Sequence, residues 1–220
     1  MGRFPQRLLF EVLLLAALAV PVMDRAAAQS ALQPGDAIVT HFSGTAAEAD
    51  RAVIDPEGAV SSIIDLRRPG SAPSGTQWTN APQRPAVTAG QVGQVGQVFG
   101  VTLDDANPPN IYLTATSAFE LHRNADNTGW MASMWGPEAG PGTAAWKLDA
   151  ANDYQPKLVA SVTLDGRANS GAALGNIAFD RWNKQLFVSD LKTGMIHRLR
   201  DGTDLGHYEG ASQLPRRSDG

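Results

Sequence analysis

Short apolar runs separated by polar turns dominate the C-terminal part of this chain. Within Gly175–Leu199 there are three such runs, divided by turns rich in Asp, Asn and Gly. The runs are Ile177–Phe179, Leu186–Val188 and Met195–Leu199. Runs of this length with turn residues between them are typical of antiparallel strands joined by tight turns.

The same layout occurs earlier in the chain. In Gly96–Leu121 an apolar run ends at Asp104, a polar turn follows, and a second apolar run begins at Ile111. Repetition of one supersecondary unit indicates an architecture built from repeats. We therefore predict an all-β chain with two groups of four strands.

An N-terminal pair of strands precedes these two groups, and a long insertion at Glu120–Gly142 interrupts the first group. Arg67–Pro85, rich in Pro, Gly, Ser and Thr, is predicted to be a loop. The predicted strands are Ala37–Phe42, Val60–Leu66, Val98–Leu103, Ile111–Thr116, Ala144–Leu148, Leu158–Leu164, Asn176–Phe179, Gln185–Ser189, Met195–Leu199 and Asp204–Tyr208. Buried positions are predicted at the apolar sites of the last group, namely Phe179, Leu186, Val188 and Ile196.

Gly175–Leu199 resembles the NHL repeat and the related gluconolactonase-like propellers. The resemblance rests on Gly175 before the first strand, Asp180 at its end, and the Leu-Phe-Val-Ser-Asp run at 186–190. The segment 194–199, Gly-Met-Ile-His-Arg-Leu, corresponds to the third strand of the repeat. The resemblance implies a partial β-propeller of two to three four-stranded antiparallel blades.

Propellers of this kind close with at least four blades. Residues 29–220 hold strands for two to three blades, so we expect either a domain that is incomplete at its C-terminus or an open array. Two blades leave unpaired strand edges, and such edges invite pairing with other chains. Self-association through these open blade edges is therefore predicted.

The first 28 residues have the layout of a secretory signal peptide that forms a helix. Arg3 and Arg7 precede an apolar run at Leu8–Val20, and small residues at Ala26–Ala28 follow it. A membrane anchor or a buried helix is the alternative, but the apolar run is shorter than the roughly 20 residues that span a bilayer. We expect a protein exported to the periplasm or secreted, with no membrane association after cleavage.

Composition excludes several kinds of chemistry. The chain has no Cys, which excludes disulfides, thiol nucleophiles and thiolate metal sites. Its formal charge of −4 gives no electrostatic reason to expect nucleic acid as a partner. The four His residues are scattered, and no zinc-protease, hydrolase-elbow or phosphate-loop motif is present.

Two aspartates at strand ends, Asp180 and Asp190, have two interpretations. An Asp there commonly accepts hydrogen bonds from backbone N–H groups and fixes a turn, which is the interpretation that the sequence favours. The other is a metal ligand or general base facing a central channel. Asn124–Gly129 partly matches a calcium loop, but its twelfth position is Trp135 instead of Glu. No cofactor is predicted, and calcium is the one cation whose binding this partial match keeps as an alternative.

Aromatic and Met residues are concentrated in the long insertion. A loop needs such residues either to pack over the neighbouring strands or to meet a ligand or partner. Trp130, Met134 and Trp135 are the candidate residues for a ligand or partner surface.

Two functions remain open. The first is an exported binding or scaffold module whose partner is a small molecule or a protein. The second is a metal-dependent hydrolase of the gluconolactonase or lactonase type, which only the resemblance implies. They differ in whether carboxylates from both blades converge at one end of the array.

Export is directly testable. The charged start, the apolar run and the small residues at Ala26–Ala28 predict cleavage after Ala28. Mass spectrometry of the protein from a Gram-negative host should show a chain that begins at Gln29. A full-length chain in the cytosol would contradict the prediction.

Overall fold

The computed structural model describes residues 32–43, 45–48, 51–55, 58–67, 83–85, 95–117, 126, 128–129, 131, 134, 143–164, 167–168 and 173–209. Within these residues the chain is almost entirely strand and turn, with one 3₁₀ turn at Ala150–Asn152. The all-β prediction is confirmed. The predicted signal peptide, 1–28, lies outside the described residues. No helix in the described part is long and apolar enough to cross a bilayer.

Fifteen strands are present in the described part of the chain. They are β1 (Asp36–Thr40), β2 (Thr45–Glu48), β3 (Arg51–Ile54), β4 (Ser61–Asp65), β5 (Gln83–Pro85), β6 (Val98–Leu103), β7 (Ile111–Ala115), β8 (Ala144–Asp149), β9 (Gln155–Ser161), β10 (Thr163–Leu164), β11 (Arg167–Ala168), β12 (Leu174–Asp180), β13 (Gln185–Asp190), β14 (Met195–Arg200) and β15 (Thr203–Tyr208).

The strands form three larger antiparallel sheets. The first sheet has the order β1-β4-β5, the middle sheet β6-β7-β8-β9 and the last sheet β12-β13-β14-β15. β2 with β3, and β10 with β11, form two-stranded pairs. In both four-stranded sheets each strand pairs with the next one along the chain, which is the order that the repeated sequence pattern predicted.

The middle and last sheets match one another along their first three strands. Each has a register irregularity in its first strand, between Val98 and Val101 in β6 and between Leu174 and Ile177 in β12. Aligning the sheets on this irregularity and on the cross-strand pairs makes Tyr112 of β7 equivalent to Phe187 of β13. The two sheets are therefore copies of one structural unit.

The middle sheet is covered on both faces. One face packs with residues of the first sheet in a core that contains Ile63, Leu113 and Trp146. The other face packs against the last sheet through a second core that contains Ala145 and Val188. The three sheets are thus stacked in chain order.

The joint between the middle and last sheets is a close contact between β6 and β12. Gly100 N–H donates to Thr114 Oγ1 at 3.0 Å, and the Thr114 hydroxyl donates to the carbonyl oxygen of Gly175 at 2.7 Å. A Cβ atom on Gly100 would lie 2.4 Å from that same carbonyl oxygen. Glycine is therefore required at position 100 if the two strands are to approach this closely.

The first sheet joins the middle sheet with the same chemistry. The Thr40 hydroxyl donates to the carbonyl oxygen of Phe99 at 2.7 Å. By register, Phe99 in β6 is equivalent to Gly175 in β12. A threonine hydroxyl of one sheet therefore bonds the equivalent carbonyl of the next sheet at both joints.

The predicted buried positions of the last sheet divide between its two faces. Leu186 is 5% exposed and Val188 is 0% exposed, as predicted. Phe179 is only partly buried. The prediction for Ile196 is wrong, because its side chain is 44% exposed. Side chains alternate along a strand, so burial of the neighbouring His197 turns Ile196 to the opposite face.

The close contact between β6 and β12 predicts how a substitution at Gly100 changes stability. Gly100→Ala should lower the free energy of unfolding by about 1–3 kcal/mol, because the new methyl group forces the backbones of β6 and β12 apart. The matched control is Asn176→Ala, at the equivalent but exposed position of β12, which should change stability by less than about 0.5 kcal/mol. Urea unfolding of both variants measures the difference. Equal losses would contradict the close-packed joint.

Candidate functional site

A cleft of about 400 Å³ opens where the middle and last sheets meet. Strands from both sheets contribute to its walls, so the cleft exists only because the sheets are stacked. Its lining includes two aromatic side chains, four cationic ones and one carboxylate. They are Tyr112, Phe179, Lys147, Lys157, Lys184, Arg200 and Asp201.

Two aromatic rings stack against one another across the joint. Tyr112 and Phe179 are stacked nearly parallel, with ring centroids 6.5 Å apart and an interplanar angle of 7°. The Tyr112 hydroxyl donates to Asp104 Oδ2 at 3.2 Å. Burial and the neighbouring Asp104 carboxylate raise the pKa of Tyr112 well above its usual value. The phenol therefore stays protonated and acts as a donor.

The cations differ in how far they are already neutralised. Lys184 donates to the Asp105 carboxylate, and this hydrogen bond lowers the pKa of Asp105. Lys147 Nζ lies 3.5 Å from an oxygen of Asp149.

The other two cations are less engaged. Arg200 Nε lies 3.9 Å from an oxygen of Asp201, whose side chain is 93% exposed. An exposed pair at that distance is worth little. Lys157 is exposed and makes no ion pair within the described part of the chain. Lys157 and Arg200 are thus the two cations available to a ligand.

Asp180 fixes the turn at one end of the cleft. Its Oδ1 accepts from the Trp182 N–H at 2.9 Å, and its Oδ2 accepts from Asn183 Nδ2 at 2.7 Å and Gln185 Nε2 at 2.9 Å. The Asn183 and Gln185 side chains lower the pKa of Asp180 to about 2. Asp104 plays the same part in the middle sheet. The turn interpretation of Asp180 is confirmed.

Asp190 fixes the turn at the opposite end of β13. It accepts from the Lys192 N–H at 3.0 Å and from the Thr193 hydroxyl at 2.9 Å. Its side chain is buried beside His197, whose Nε2 lies 4.0 Å from Asp190 Oδ2.

His197 links the last two strands to the chain that precedes the last sheet. Its Nδ1 lies 3.0 Å from Asp204 Oδ2, which also accepts from the Thr163 N–H at 2.9 Å. The ring is fully buried, so His197 is part of the packing between these strands.

The segment 124–129 that partly matches a calcium loop is a turn where it is described. Asp126 Oδ1 accepts from the N–H and the hydroxyl of Thr128. Asp149 accepts from the Ala151 N–H at 3.2 Å and begins the 3₁₀ turn. Asn124 lies outside the described residues. Among the described residues no three His, Asp or Glu side chains are grouped so as to hold a metal ion.

Of the three residues predicted to form a ligand or partner surface, only Met134 lies in the described part of the chain. Met134 is 1% exposed and belongs to the core between the first and middle sheets, where its carbonyl accepts from the Gln97 N–H at 2.8 Å. Its side chain is therefore a core residue. Trp130 and Trp135 lie outside the described residues.

Sequence reasoning missed the cleft because its residues are far apart in the chain. Lys157 lies in β9, the fourth strand of the middle sheet, and Arg200 lies in β14, the third strand of the last sheet.

No protein-family model, curated protein or solved structure matches this chain. The resemblance to NHL and gluconolactonase-like propellers therefore stays a prediction.

The hydrogen bonds to Asp180 predict an acid-dependent stability. A pKa lowered from 3.8 to about 2 means that the charged carboxylate stabilises the fold above pH 3.8, and that this contribution is lost as the pH falls through about 2. Urea unfolding should show Asp180→Asn less stable than the wild type at neutral pH, with the difference shrinking towards pH 2. A carboxyl NMR titration with a midpoint near 3.8 would contradict it.

Proposed function

We propose that this chain is an exported binding or scaffold module of the β-propeller type. Two copies of a four-stranded meander, stacked in chain order with their first strands in contact, support this architecture. In a propeller such sheets are arranged radially, so that consecutive first strands are neighbours around a central channel. The signal-like N-terminus supports export.

The ligand that best fits the cleft is a small ring-shaped molecule that carries a carboxylate or phosphate. The observation that carries this proposal is the meeting of Lys157 and Arg200, from opposing sheets, beside the stacked rings of Tyr112 and Phe179. Cations orient an anionic group through charge-assisted hydrogen bonds. The partly exposed rings of Tyr112 and Phe179 offer apolar surface to the rest of the ligand.

The hydrolase alternative has no observation in its favour. The carboxylates of Asp180 and Asp190 stand at opposite ends of β13, and each is engaged by its own turn. Asp104 and Asp180 stand at equivalent strand ends of the two sheets, and each is engaged by its own turn. Among the described residues, no three acidic or His side chains are grouped so as to hold a metal ion.

Calorimetry with D-glucuronate as an anionic probe and glucose as its neutral counterpart tests the binding proposal. Glucuronate should bind and glucose should not. Lys157→Gln and Arg200→Gln should each weaken glucuronate binding by about tenfold or more, because each removes a charge-assisted hydrogen bond. Added salt should weaken binding as well, since both cations are exposed.

Lys192→Gln is the matched control. Lys192 is an exposed lysine in the turn beyond the other end of β13, so its loss should leave binding unchanged. Equal binding of glucose and glucuronate, or equal effects of Lys192→Gln and Lys157→Gln, would reject this ligand class.

A further inference from the structure

No residue of the described part of the chain covers one face of the last sheet. Large apolar side chains point from this face into solvent, and they line a groove with a volume of about 550 Å³. Four of them are Phe187 at 37% exposure, Ile196 at 44%, Leu205 at 38% and Tyr208 at 63%. We call this surface the open face. Contiguous exposed apolar side chains of this size mark interaction sites.

The equivalent face of the middle sheet indicates what the open face can bind. By register, Phe187, Ile196 and Tyr208 of the last sheet are equivalent to Tyr112, Ala145 and Ala160 of the middle sheet. Those middle-sheet residues lie in or against the core that the last sheet covers. The open face is therefore equivalent to the face of the middle sheet that packs against the last sheet.

The hydroxyl at the joint has a counterpart on the last sheet as well. Thr114, which bonds the next sheet through the Gly175 carbonyl, is equivalent to Ser189. With no next sheet described beyond it, the Ser189 hydroxyl turns back to the carbonyl oxygen of Asn176 in its own sheet at 3.3 Å. The last sheet thus carries both the apolar surface and the hydroxyl of a further sheet-to-sheet joint.

The opposite end of the stack also presents apolar side chains. In β1, Ile38 packs towards the middle sheet, so Val39 points the other way and is 39% exposed. Ala37, on the same face as Val39, is paired with Ile64 of β4. Leu66, just after β4, is 48% exposed. We call this surface the outer face of the first sheet.

We propose that the open face of the last sheet binds the outer face of the first sheet in a second copy of this chain. The stack joins unlike faces twice, first sheet to middle sheet and middle sheet to last sheet, and head-to-tail association continues that order. Such a contact between unlike surfaces gives a ring if it closes and an open array if it does not. The proposal does not depend on the ligand of the cleft.

Sedimentation velocity of the full chain over a wide range of concentrations tests the proposal with two charge variants. Ile196→Glu places a carboxylate on the open face, and Val39→Glu places one on the outer face. Each variant alone should associate about tenfold or more weakly than the wild type, because an unpaired charge would be buried in the contact. Mixed together, they should form a one-to-one dimer through the single pair of unaltered faces.

Trp182→Glu is the matched control. Trp182 is 82% exposed but lies in the turn between β12 and β13, on neither face, so this variant should associate like the wild type. Each variant must also show cooperative urea unfolding. If one does not, Tyr208→Glu replaces Ile196→Glu and Leu66→Glu replaces Val39→Glu.

The remaining outcomes overturn the proposal. A wild-type chain that stays monomeric at every concentration has no such contact. If Ile196→Glu weakens association and Val39→Glu does not, two open faces pair with each other and the head-to-tail arrangement is wrong. If both variants weaken association but their mixture forms no dimer, the two faces do not meet.

Discussion

The contact between β6 and β12 is the constraint on which the rest of the structure depends. Gly100 lets the two backbones approach until the Thr114 hydroxyl reaches the Gly175 carbonyl oxygen at 2.7 Å. A buried carbonyl without a partner would be costly, and this hydroxyl satisfies it. The close approach brings the two sheets face to face, so that Val188, Leu199 and Ala145 become fully buried.

The cleft is a consequence of that contact. Its cations come from the middle sheet at Lys157 and from the last sheet at Arg200, and the stacked rings of Tyr112 and Phe179 bridge the same two sheets. Asp180 holds the turn beside the cleft, and Asp104 holds the equivalent turn of the middle sheet. A rigid joint with fixed turns keeps exposed side chains of two sheets at one place, which is what a binding site requires.

The same repeated unit has two covered faces in the middle sheet and one exposed face in the last sheet. Along β14 the alternation puts His197 and Leu199 inside and Ile196 and Arg198 outside. In the middle sheet both faces are covered, and small residues such as Ala145 fill the inner contact. The bulkier Ile196 at the equivalent position of the last sheet leaves apolar surface in solvent.

The sequence by itself determined the all-β class, the two groups of four strands and the turns at Asp180 and Asp190, because alternation and Asx turns are local properties of the backbone. Tertiary structure alone decided which face of each strand is covered and which distant side chains meet. Hence Ile196 was expected to be buried and is exposed, and the presence of Lys157 and Arg200 in one cleft could not be predicted. Strand alternation defines two faces, but only packing between sheets distinguishes the buried face from the one that faces solvent.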